Sequence, residues 1–230
     1  MDKKEFYDIV KDAVNDAELC SRDIPPIELY VDQILNLMSE RIEQGSTRYH
    51  EKQLTKTMIN NYSKEGLITP VKGKKYNKEQ ILQMLMVYTL KGTLSIGEIK
   101  RLLDGAYESE GFGADSLTDL YDGYLKIKQD NRDNAVATVE EILDRNALDI
   151  DNDIDYIKLI CVISAFSSYL KNIAQAMIDA RFPEKIEPAD VEKEKEEKKE
   201  EKKERKEEKK ADKRQKKEEK KEIKESKKEK

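Results

Sequence analysis

The sequence predicts an all-α protein ending in a charged tail, and three observations carry that prediction. Apolar residues recur at three- and four-residue spacing along most of residues 3–182. No segment alternates with the period of two that a strand needs, apart from a small hairpin expected within residues 69–76. Charge is abundant and unevenly placed: 40% of the 230 residues are Asp, Glu, Lys or Arg. From Ala189 onward there are 20 basic and 16 acidic residues, against 24 and 33 before it. The first 188 residues are enough for one or two domains with a buried core.

Taken in order, residues 3–19 form an amphipathic helix through Phe6, Ile9, Val10, Ala13, Val14 and Ala17, which Ser21–Pro26 breaks. Ile27, Tyr30, Val31, Ile34, Leu35, Met38 and Ile42 predict a second helix ending before Gly45. A polar loop follows over residues 45–53. Thr55 can N-cap a helix over Lys56–Glu65, with Met58, Ile59 and Tyr62 inward and Thr57, Asn60, Asn61 and Lys64 outward. Gly66 stands where a left-handed residue ends a helix, with Leu67 able to pack back on Tyr62.

Thr69 to Tyr76 then offers a Gly-centred turn carrying Lys72, Lys74, Lys75 and Tyr76. Asn77 with Gln80, and Ser95 with Glu98, read as capping boxes opening helices to Lys91 and to Leu103, the latter stopped by Asp104-Gly105. Residues 105–113 are a turn-rich link and 116–146 are one or two helices. Ile154–Phe182 is a helix apolar around nearly its whole circumference, which calls for burial in the core or against a second copy of the protein. The tail sets Glu and Lys at i+3 and i+4 without an apolar seam, so it is a solvated, partly helical rod or a disordered segment, not a coiled coil.

Composition removes several classes. The N-terminus lacks the apolar stretch of a secretory signal. The longest uncharged apolar run, Leu159–Leu170, is 12 residues, so no membrane association is expected. Cys20 and Cys161 have no metal-ligand spacing and suit a reducing cytoplasm. One His and two separated Cys offer little for catalysis, so neither enzymatic activity nor a cofactor is expected. Asp149, Asp151, Asp153 and Asp155 alternate like a calcium loop, but Ile154 and Ile160 stand where its Gly and Glu belong. Their expected role is at a helix N-terminus. Gly111-Phe112-Gly113 lacks the third Gly of a dinucleotide loop, His50 reads as a loop residue, and Cys161 as a packed core thiol.

One segment carries a signal. Residues 48–101 hold 11 basic and 4 acidic residues, in a globular part that is otherwise acidic. That is the electrostatic footprint of a phosphate-binding face. The outward Thr, Asn and Lys side chains of 57–64 are also those that read base edges in a major groove.

The block Leu54-Thr55-Lys56-Thr57-Met58-Ile59-Asn60-Asn61-Tyr62, followed by Lys75-Tyr76-Asn77 and Ser95–Leu103, resembles the winged helix-turn-helix of the mercury-resistance regulator (MerR) family. With Ile24-Pro25-Pro26, residues 24–180 are also similar to a Gram-positive bacterial family known only as a domain of unknown function. The regulator resemblance implies base contacts for Thr57, Asn60 and Asn61 and DNA-backbone contacts for Tyr62, Lys64, Lys72, Lys74, Lys75 and Tyr76. Residues 27–43 would supply the first helix of the motif across a longer loop, and Asn60 takes the place of a groove-facing Arg.

The expected organisation is an N-terminal helical pair (1–46), a winged helix-turn-helix with a small β-wing (47–105), a helical region able to dimerise (106–186) and the tail (187–230). Two functions fit: a transcriptional regulator binding double-stranded DNA as a homodimer, or an interaction module that keeps the fold and binds proteins through its acidic helices and tail.

Overall fold

The computed structural model describes residues 2–49, 53–71 and 73–184, and those up to Pro183 make one unit. The tail, His50 and Lys72 lie outside the described residues. Among the described residues the fold is helical, with one two-stranded ribbon. The order is α1 (Lys3–Ala13), β1 (Leu29–Tyr30), α2 (Val31–Ile42), α3 (Lys56–Lys64), β2 (Lys75–Tyr76), α4 (Lys78–Leu90), α5 (Ile96–Tyr107), α6 (Ala114–Asp133), α7 (Ala135–Asn146) and α8 (Asp153–Arg181).

The local stop and start signals act as chemistry requires. The Thr55 hydroxyl accepts from Met58 N at 3.2 Å to open α3. At its other end Gly66 adopts φ +70°, Gly66 N donates to Ser63 O and Leu67 N to Tyr62 O, which satisfies two orphan carbonyls. Asn77 and Gln80 exchange hydrogen bonds of 2.9 Å in each direction at the start of α4. Ser95 and Glu98 do the same for α5, and those bonds hold the Glu98 carboxyl below the usual carboxylate range. The side chain of Asn152, rather than an Asp, caps α8, with Asp153 and Asp155 in its first turn.

Helix α4 is the centre of the molecule. Every residue from Gln80 to Val87 is buried, and the helix packs on α3, α5 and α6. Burying each of its Ile, Leu, Met and Val side chains stabilises the fold by about 1.5–3 kcal/mol relative to exposure. The main core collects residues from Leu19 to Ile178 around it. A smaller cluster of Phe6, Leu143 and Leu159 ties α1 and α7 to α8.

Several expectations are corrected. The first helix ends at Ala13, because Asp16 and Glu18 turn away to pair with Lys128 of α6 and Leu19 enters the main core. Burial raises the Glu18 carboxyl above its ordinary range, Lys128 opposing it. The second helix starts at Val31, where Tyr30 N donates to the Gln33 side chain; Leu29 and Tyr30 are extended instead. Among the described residues of 69–76 there is one strand, β2, and no hairpin partner for it within that range. β2 pairs antiparallel with β1, Leu29 opposite Tyr76 and Tyr30 opposite Lys75.

Helix α5 runs through Gly105 to Tyr107, and the Phe182 ring lies so close over Gly105 that a Cβ there would collide with it. That glycine is a seat, not a stop. The long apolar helix is the largest departure. Only Leu159 and Ile178 of α8 are buried, every residue from Ile160 to Ile173 is exposed, and Cys161 is a surface thiol rather than a core one. In this single chain α8 is thus not a core helix. By length and composition it is also apolar enough to cross a membrane, a test that its 12-residue uncharged run had not met.

Gly105 and Gly123 both lie inside helices, but a Cβ at Gly123 would meet open space. Gly123→Ala is expected to stabilise by about 0.5–1 kcal/mol through helix propensity. Gly105→Ala is expected to destabilise by about 1–3 kcal/mol, as overpacking does. Urea denaturation midpoints moving in the same direction would refute the seat assigned to Phe182.

Candidate nucleic-acid interface

Helix α3 is amphipathic in the simplest way. Ile59 and Tyr62 are buried, Met58 is half-buried, and Thr57, Asn60, Asn61 and Lys64 are exposed on the far side. Asn60 and Lys64 line one cleft of about 670 Å³ together with Thr69, Pro70, Val71 and Tyr76 of the following segment. Amide, hydroxyl and ammonium groups thus stand beside a loop whose Lys74 and Lys75 are also exposed. Asp104 lines the same cleft and is the group that a bound anion would have to avoid.

Two buried glutamines hold the loop in place. Gln80 Nε2 donates to the carbonyls of Thr69 and Pro70, at 3.1 Å each. Gln83, 1% exposed, accepts from Thr69 N at 2.8 Å and donates to the Tyr107 hydroxyl at 2.6 Å. Tyr107 in turn donates to Glu79 at 2.8 Å. Burial, with that carboxylate beside it, pushes the Tyr107 hydroxyl up to about 12, so it stays a donor at any physiological pH. The base of the loop is therefore rigid, held by amides whose own hydrogen bonds would be lost if it moved.

The basic residues of the segment divide into two sets. Arg48 pairs with Asp12, Lys56 with Asp32 at 2.7 Å, and Arg101 with Asp179 at 2.8 Å. Lys64, Lys74, Lys75, Lys78, Lys91 and Lys100 have no ion pair among the described residues. The Lys75 ammonium sits 5.0 Å from the Tyr30 ring centroid, a cation–π contact made by the β1–β2 pairing. Lys100 approaches the α3 terminus, its Nζ 3.7 Å from where a Cβ of Gly66 would be. Sequence reasoning counted Lys100 in the basic segment but gave it no place at the site. Nothing local marks it, because it comes from α5.

Of the two expected tyrosine contacts, Tyr62 lies elsewhere and Tyr76 lines the cleft with most of its ring in the core. Tyr62 is 3% exposed and its hydroxyl is buried with no hydrogen-bond partner among the described residues, so it does not reach a phosphate. Burial pushes that hydroxyl up to about 12, and Lys91 stacks on the ring from 5.8 Å. Tyr76 is 8% exposed and belongs to the main core through its ring. Tyr62 belongs to the scaffold, whereas Tyr76 contributes to both core and cleft. Thr57, Asn60, Asn61, Lys64, Lys74 and Lys75 stand on the surface, and Lys72 lies outside the described residues.

Because the Tyr62 hydroxyl is buried without a partner among the described residues, Tyr62→Phe removes a polar group that costs about 1–3 kcal/mol to desolvate. The denaturation midpoint is expected to hold or rise. A clear drop would show that the hydroxyl has a partner, and would return Tyr62 to consideration as a polar contact.

Comparison with curated proteins and with solved structures gave no match. Comparison with protein families gave one, covering β1 to the first half of α6 and so the whole candidate face. Residues 19–124 match the model of the family described as "Domain of unknown function (DUF1836)".

Proposed function

We propose that β1, α2, α3 and β2 form a winged helix-turn-helix that binds double-stranded DNA, in a bacterial transcriptional regulator acting in the cytoplasm without enzymatic activity. The observation that carries the reading is α3, exposing Thr57, Asn60, Asn61 and Lys64 beside a loop clamped from behind by Gln80 and Gln83. The order of elements supports it. A strand leads into one helix, a second helix presents polar side chains, and a returning strand pairs with the first.

In this reading α3 enters the major groove. Asn60 and Asn61 pair with adenine edges and Thr57 meets a thymine methyl. Lys64, Lys72, Lys74, Lys75 and Lys100 neutralise phosphates, which positions the protein without reading sequence. Lys100 joins this set because it stands over the end of α3. A second reading, an interaction module that binds proteins instead of DNA, draws its support from the exposed apolar length of α8.

The two readings separate in one experiment, fluorescence anisotropy of the full chain against pooled genomic duplexes titrated over salt, with sequencing of the retained DNA. Replacing Lys72, Lys74 and Lys75 by alanine is expected to weaken binding on all sequences. Each lost phosphate contact should flatten the log–log salt slope by about 0.9. Asn60→Ala is expected to relax preference at one base position by about 1–3 kcal/mol. No retention of DNA by the wild type at low salt rejects the regulator and leaves the interaction module.

A further inference from the structure

A cavity of about 690 Å³ opens between the chain that follows α1, the last turn of α2 and one side of α6. Its size is that of a small-molecule site. Five cationic side chains line it, Arg22, Arg41, Lys126, Lys128 and Arg132, against three carboxylates, Asp16, Glu18 and Asp122. The carboxylates are already engaged. Lys128 pairs with Asp16 and Glu18, and Arg132 with Asp16. Asp122 accepts from both the N–H and the hydroxyl of Ser21.

Three cations are left over. Arg22 and Lys126 are exposed and have no ion pair among the described residues. Arg41 is half-buried, and its Nε and Nη1 donate only to neutral oxygens, the Glu18 carbonyl and the Gln44 side chain, at 2.9 Å each. A guanidinium drawn away from water without a counter-ion is costly. Burial and the Asp23 carboxylate raise the Cys20 thiol, while Arg22 and Arg41 pull it down, so both guanidiniums act on one atom of the wall. With five cations against three acids, the cavity holds two positive charges in excess, in a globular part where acids outnumber bases.

We propose that this cavity binds a small organic phosphate ester, its phosphate held by Arg22, Arg41 and Lys126. A phosphate monoester carries a charge of about −2 near neutral pH and presents three acceptor oxygens, which matches the excess charge and three donors arriving from three elements. A carboxylate has one charge and two oxygens. The phosphate occupies a fraction of the cavity, and the remaining wall, with Leu125 beside the Asn15 and Gln129 amides, takes the organic part. Asp122 is the group the phosphate has to avoid, and it can accept from a ligand hydroxyl. No residue of this cavity lines the cleft beside α3, so the inference does not rest on the DNA reading.

The test is thermal melting and titration calorimetry of the full chain, at constant ionic strength, with glycerol 3-phosphate, ribose 5-phosphate and adenosine 5′-monophosphate. At least one ester is expected to raise the Tm, and ribose and adenosine to leave it unchanged. The double variant Arg22→Gln, Lys126→Gln is expected to weaken the ester by about tenfold for each lost contact. Both side chains are exposed and unpaired, so its melting without ester should match the wild type. Cys20 lines the wall, so in a Cys161→Ser background the ester is expected to slow alkylation of the one remaining thiol. No response to any of the three esters overturns the proposal, as does a double variant that binds as tightly as the wild type. Inorganic phosphate binding as tightly as the best ester overturns the assignment of an organic ligand. An ester whose binding is lost in Lys74→Gln, Lys75→Gln instead places the anion on the α3 face and also overturns it. A chain that retains DNA but binds no ester leaves the proposed function standing, and the reverse result leaves this one.

Discussion

Burying one helix on all its faces is the constraint on which the rest of the structure depends. A helix sunk between α3, α5 and α6 can be apolar everywhere except where its amides find partners, and α4 contains two, Gln80 and Gln83. An unpaired buried amide is costly, so whatever lies over these residues has to supply hydrogen bonds. What lies there is backbone: the Thr69 N–H and the carbonyls of Thr69 and Pro70, with the Tyr107 hydroxyl completing the set. The position of the loop before β2 is thus a consequence of satisfying α4. Replacing either glutamine by leucine would keep the volume of the core and release the loop from it.

Signals that act over three or four residues were legible in the sequence. Thr55, Asn77 with Gln80, Ser95 with Glu98 and Gly66 each set a helix end by bonds to backbone a turn away, and each is where its chemistry put it. Signals that depend on distant partners were not. Leu29–Tyr30 extends because it pairs with Lys75–Tyr76, and two residues are too few to show a period. Gly105 reads as a stop until Phe182 is seen above it. Helical periodicity reports that α8 has apolar faces, but whether anything covers them lies outside any local pattern.

The candidate face was legible to a similar degree, for the same reason. The outward set on α3 follows from its period, and Thr57, Asn60, Asn61 and Lys64 are exposed. The tyrosines exposed the weakness of reading side chains by what they can do. A Tyr can donate to a phosphate, yet the same period that turns Asn60 and Asn61 outward turns Tyr62 inward, where its hydroxyl is buried. Net charge was too coarse as well. Of the basic residues in 48–101, Arg48, Lys56 and Arg101 hold the protein's own carboxylates, and only tertiary structure separates them from Lys64, Lys74, Lys75 and Lys100.

Arg101 shows what the charge it carries is for. On α5, Arg101 and Gly105 hold the end of α8 through Asp179 and Phe182, and two residues further on Tyr107 holds Gln83. The helix with the exposed apolar seam and the loop beside α3 are therefore attached to the same two turns of α5. Seven residues of one continuous helix, from Arg101 to Tyr107, thus join the anchorage of α8 to the amide that positions Thr69.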